Sequence, residues 1–135
     1  GFSIFSFDIG ANPVYRLSDD SYQTATSFGL NLKVADPLVV GFTIFDSGST
    51  TLLNLKYEVL NKARVVLSLG NASSGGVLLG SGSGTVGGLG FEYAPFSRSI
   101  SGLATEFKMG AQYLFPASAI DQGSFLFILG FSVGI

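Results

Sequence analysis

Eight charged residues fall on the polar side of a chain that otherwise alternates large apolar and small or polar positions: Asp8, Glu58, Glu92 and Glu106 against Lys33, Lys56, Arg64 and Lys108. Three chemistries are open to such a set. A carboxylate pair such as Glu92 and Glu106 could do acid/base work, a charged path could pass ions or small solutes, or opposite charges could seal an interior by pairing. The chain has no His, which removes the usual general base and the middle member of a Ser-His-acid triad. Opposite charges near the carboxylates favour a structural role over a catalytic one. A non-enzymatic protein without cofactor or metal is therefore expected.

Three further motifs carry little chemistry. Gly82-Ser83-Gly84-Thr85-Val86-Gly87 matches GxGxxG but precedes a strand pattern instead of opening a helix after one, so it lacks the phosphate-cradling setting. Asn71-Ala72-Ser73 is a glycosylation sequon in form only. The adjacent carboxylates Asp19 and Asp20 fall short of a calcium coordination set.

The charged residues must be positioned by strands. From Tyr22 to Val34 the even positions read Tyr, Thr, Thr, Phe, Leu, Leu, Val and the odd ones Gln, Ala, Ser, Gly, Asn, Lys, a period of two with unlike faces. Past the turn residues Ala35-Asp36-Pro37, Leu38, Val40, Phe42 and Ile44 continue the apolar face, with Val39 and Phe45 as imperfections. Leu53 to Val59 and Val65 to Leu69 form a hairpin around Leu60-Asn61-Lys62, with Glu58 opposite Arg64 and Lys33 expected close by through the third strand. Leu89 to Tyr93, Leu103 to Tyr113, Phe125 to Ile135 and Phe5 to Ile9 complete the set.

Eight strands of about ten residues suit a bilayer crossing at a tilt of about 45°. An even number permits closure without an exposed edge. The expected fold is all-β: a single domain over residues 1–135, forming an eight-stranded antiparallel up-and-down transmembrane β-barrel. Short connections after the second and fourth strands contrast with longer ones at Ala11 to Ser21, Asn71 to Gly84 and Pro116 to Gly123. Asp46 to Thr50 is short for an outer loop, and Pro95 to Ser101 long for an inner turn. Tyr22, Tyr113, Phe115 and Phe125 at the outer ends, with Tyr57 and Tyr93 at the inner ends, would form two interfacial aromatic girdles.

Composition agrees. Charged residues make up 12% of the chain, about half the share of an average soluble protein, and mean hydropathy is +0.49. The longest apolar stretch, Phe125 to Ile135, is broken by Gly130, Ser132 and Gly134 and falls short of a membrane-spanning helix. A net charge of −2 with scattered Lys and Arg argues against nucleic acid. The absence of Cys fits an oxidising compartment. Gly1-Phe2-Ser3-Ile4 lacks the regions of a signal peptide, so a mature or trimmed product is expected.

On these strands the chain resembles the small eight-stranded outer-membrane barrels of Gram-negative-type bacteria, the OmpA transmembrane domain and OmpX group. Gly88-Leu89-Gly90-Phe91-Glu92-Tyr93 is similar to their Gly-x-Gly-aromatic strands. Gly130-Phe131-Ser132-Val133-Gly134-Ile135 is similar to their C-terminal assembly signal, with Gly130, Val133 and Ile135 at the matching positions; that signal usually ends in Phe or Trp, where this chain has Ile135. The resemblance implies outer-membrane residence with extracellular loops and periplasmic termini. It also implies membrane lipids and the barrel-assembly machinery as partners, an occluded lumen and a role in presenting loops or supporting the envelope. A monomer is expected. Two alternatives remain: a narrow channel through the charged lumen, and a soluble lipocalin-like barrel with its apolar face turned inward around a lipid.

Overall fold

The computed structural model describes residues 4–16, 20–45, 50–60, 62–72, 84–116 and 124–135. Its elements are β1 (Phe5–Arg16), β2 (Ser21–Ala35), β3 (Leu38–Phe45), β4 (Thr50–Leu60), β5 (Ala63–Ala72), β6 (Gly84–Ile100), β7 (Leu103–Pro116) and β8 (Ser124–Gly134). Each strand pairs antiparallel with its sequence neighbours, and β8 returns to β1, giving a closed up-and-down barrel. The row of partners Ser6, Asn31, Gly41, Asn54, Ser68, Gly88, Leu114, Ser124 re-enters β1 at Arg16, ten residues beyond its start. With strands about 4.8 Å apart and about 3.3 Å per residue, that shift inclines them by about 40° to the axis.

The alternation sorts the faces as expected, with the apolar face outward. Phe7, Phe28, Leu53, Leu67, Leu89, Phe91, Phe127 and Phe131 are exposed on it, while Asn54, Lys56, Arg64, Ser68, Glu92, Lys108 and Gln112 are buried inside. A lipocalin-like arrangement requires the reverse, so that alternative is overturned.

Two segments expected to be loops are strand. Ala11 to Arg16 continues β1, pairing with β2 as far as Arg16↔Ser21. Pro13, which has no N–H to donate, sits where the β1–β8 pairing is interrupted between Gly10↔Gly130 and Val14↔Leu126. Pro95 to Ile100 continues β6, and its proline falls in a bulge where the β6–β7 register shifts between Tyr93 and Phe96. The chain reverses at Ser101 and Gly102, both at positive φ (52° and 83°), the conformation of a two-residue type I′ hairpin.

These corrections sharpen the sidedness. The strand ends joined through residues 36–37, 61–62 and 101–102, each two residues apart, share one end of the barrel with Ile4 and Ile135, whereas the strand ends that border residues 17–20, 46–49, 73–83 and 117–123 are at the other. At the seam the last residue is held from both directions: Ile4 N donates to Ile135 O at 3.0 Å and Ile135 N to Phe5 O at 2.9 Å.

Gly10 and Gly130 face each other across this seam. A Cβ at Gly10 would lie 2.8 Å from the Leu129 carbonyl oxygen, and one at Gly130 would strike the Ile9 carbonyl oxygen. The close approach of β1 and β8 therefore explains why a residue read as part of an assembly signal is glycine.

Candidate functional site: the charged lumen

Strand register decides which charges meet. Arg64 on β5 stands directly opposite Glu92 on β6, and the shear of the barrel brings Asp8, Lys56 and Lys108 to the same level. Glu92 is the hub. Its Oε1 accepts from Arg64 Nη1 at 2.9 Å, and its Oε2 from Lys56 Nζ at 3.2 Å and Lys108 Nζ at 3.3 Å. Arg64 also grips Glu106 with both Nη atoms, at 2.9 and 3.1 Å. On the far side Asp8 lies 2.8 Å from Lys108 and 3.6 Å from Lys56, and its Oδ2 accepts from Asn31 Nδ2 at 2.8 Å.

The result is an unbroken chain, Glu106–Arg64–Glu92–Lys56/Lys108–Asp8–Asn31, across the lumen. Lys56, Arg64, Glu92 and Lys108 are exposed by 6%, 3%, 2% and 4%, so each charge relies on protein partners for what it loses from water. Three anions and three cations leave this layer neutral.

One predicted member lies apart from it, and another borders it. Lys33 pairs with Asp36 at 2.6 Å in the β2–β3 turn. The physical reason is register: the row from Lys33 passes through Val39 to Lys56, a like charge, so the turn carboxylate is its nearest anion. Glu58 is half-buried and opposite Arg64 in register, as expected, although the Arg64 guanidinium reaches Glu92 and Glu106.

Beyond the charges is a layer of amides and hydroxyls. Asn54 donates to Thr43 Oγ1 at 2.7 Å and accepts from Ser68 Oγ at 2.6 Å, Gln112 Nε2 donates to Ser68 Oγ, and Asn12 donates to Ser27 Oγ at 2.7 Å. Nearest the long-connection end is an apolar layer that sequence reasoning missed: Val14, Ala25, Phe45, Leu52, Val86, Leu114 and Leu126, all buried. Its signal is Phe45, which breaks the alternation because its position faces this apolar section of the lumen. Val39, the other imperfection, is also buried inside.

The lumen is thus filled in three tiers. A cavity of about 300 Å³ opens at the two-residue-turn end and is floored by Asp8, Lys56, Arg64, Glu92 and Lys108. A void of about 60 Å³ follows, bounded by Asn54, Gln112, Phe45, Leu52 and Leu126.

The predicted aromatics lie on the outer face. Tyr22, Tyr57, Tyr93 and Phe125 are exposed, and Tyr113 packs between Phe115 and Phe125 with ring centroids 6.0 and 5.2 Å away. Of the motifs set aside, Gly84 to Gly87 opens β6 while Gly82 and Ser83 lie outside the described residues. Asp19 also lies outside them, and Asp20 accepts a hydrogen bond from the Tyr15 hydroxyl.

No family model matches the chain, and no curated protein matches it. It is similar to a solved structure described as "De novo design of transmembrane beta-barrels". The two share 16% identity over 94% of this chain and 92% of the other, with a TM-score of 0.41.

Proposed function

We propose that this protein is a non-enzymatic integral membrane β-barrel of the outer-membrane type, akin to the OmpA and OmpX group, with a lumen closed by its own side chains. The observation that carries this reading is the inversion of polarity. Among the described residues, 29 large apolar side chains are exposed, while a neutral six-charge network lies inside with Lys56, Arg64, Glu92 and Lys108 buried. Water does not reward such an exterior; hydrocarbon does. At a tilt of about 40°, ten residues of strand rise about 25 Å, the height of the apolar band of a membrane barrel.

Both carboxylates that might have done acid/base work, Glu92 and Glu106, are held by Arg64. That supports a structural role for them. The unequal ends of the barrel support extracellular long connections with periplasmic turns and termini, and the held C-terminal strand is the element the assembly machinery would engage. The expected role is presentation of the long connections and support of the envelope, by a monomer.

The cavity at the turn end favours a second reading, a narrow channel for ions or small solutes. It must contend with the layer beyond, whose buried side chains are mostly hydrocarbon. The decisive experiment for the membrane reading is behaviour without detergent. The chain should need detergent or vesicles to remain dispersed and should insert into vesicles as a heat-modifiable band; a monodisperse soluble monomer in plain buffer would overturn it.

A further inference from the structure

Strands β6 and β7 run past their neighbours at the turn end. Pairing of β6 with β5 ends at Tyr93↔Ala63, and pairing of β7 with β8 at Ala104↔Gly134, yet the β6–β7 hairpin continues to Ile100↔Leu103. Its outward face carries the exposed apolar side chains Phe96, Ile100 and Leu103. Phe96 lies 6.5 Å from Phe107, which meets Phe131 edge-on at 5.5 Å, so three rings form a continuous floor. Above that floor is an open groove of about 450 Å³, lined also by Lys62, Arg98 and Glu106.

The charge of the groove is distinctive. Arg98 stands opposite Thr105, on the face of Phe96 and Phe107, and is the one charged residue at an outward strand position among the described residues. Lys62 is exposed in the adjacent turn, its Nζ 3.5 Å from the Pro95 carbonyl oxygen. The Glu106 carboxylate is engaged by both Nη atoms of Arg64, which leaves the groove with two cations beside an aromatic floor.

We propose that this groove binds an anionic phospholipid from the leaflet at the two-residue-turn end, with Lys62 and Arg98 holding its phosphate and the three phenylalanines supporting an acyl chain. The site is continuous with the apolar band, and its cations sit at the rim, where a headgroup would lie. A phosphodiester on an apolar tail is the ligand that satisfies both halves at once. The inference rests on the membrane reading.

The test uses the full chain in vesicles of phosphatidylcholine and phosphatidylglycerol in equal parts, extracted gently for native mass spectrometry. The expected result is one retained phosphatidylglycerol, favoured over phosphatidylcholine by on the order of tenfold. The Lys62→Gln/Arg98→Gln variant should lose the preference while remaining folded by heat-modifiability, and Phe96→Ser should lower retention. Equal adducts in the wild type, or a preference surviving in the double variant, would overturn the site. Undiminished retention by Phe96→Ser would show that the cations take phosphate without the acyl floor and would overturn the lipid assignment. Failure to enter vesicles at all would count against the membrane reading, whereas insertion without preference counts only against the groove.

Discussion

Arg64 and Glu92 face each other directly across β5 and β6 and meet at 2.9 Å with side chains each 3% exposed. A pair so buried reveals itself when one partner is removed. Glu92→Ala would leave Lys56, Arg64 and Lys108 without the carboxylate on which all three converge, costing about 3–5 kcal/mol. Lys33→Ala breaks a pair whose Asp36 side is 80% exposed and should be nearly silent. Urea unfolding in vesicles compares them; equal losses would show that the network is not the stabilising element.

Lipid contact predicts a dependence on depth. Leu67, midway along β5 and outward, and Leu60, at the end of β4, are both exposed. Leu67→Arg should destabilise by about 2–4 kcal/mol and Leu60→Arg by about 0–1 kcal/mol, as for cations at the midplane and rim of membrane barrels. The same unfolding measurement reads both, and two small, equal effects would argue for an exterior in water.

For conduction, the tiers of the lumen make separable predictions. Neither the wild type nor Lys56→Ala should pass current in a planar bilayer, because the layer of Phe45, Leu52, Leu114 and Leu126 persists when a charge is lost. Conductance should appear once that layer is also trimmed, as in Lys56→Ala/Leu52→Ala/Leu126→Ala. Current through Lys56→Ala alone would locate the barrier in the charges and revive the channel reading.

At the seam, Gly130→Ala should cost about 1–3 kcal/mol by forcing β1 and β8 apart, the usual penalty for overpacking. Gly102→Ala meets no atom within 4 Å but must hold a φ of 83°, so its cost is conformational, about 1 kcal/mol. Heat-modifiability against urea should rank them in that order.

Much of this design is legible in the chain because a strand's period of two is local: Tyr22 to Val34 displays both faces without reference to anything distant. The identity of the buried charges is legible for the same reason. Their partners are not, since pairing depends on the ten-residue shear, which accumulates over all eight interfaces and no single segment encodes. Lys33 shows the effect, because a hairpin-level register pointed it toward Arg64 while the row around the barrel set it across from Lys56. The stretches from Ala11 and from Pro95, expected to be connections, differ in another way. A proline reads as a break in a strand, yet at an interrupted pairing and at a bulge the strand continues through it. Phe45 is an error of pattern only for a lumen polar along its whole length.

Seven of the eight strand interfaces join neighbours in sequence, and one, β1 with β8, joins residues as distant as Ser6 and Gly134. Hairpins form with little loss of chain freedom, so nearly all the entropy of closing a long loop, about 4 kcal/mol for a span of this length, falls on that single step. Closing that seam is therefore the step of this topology that carries the largest loss of chain freedom.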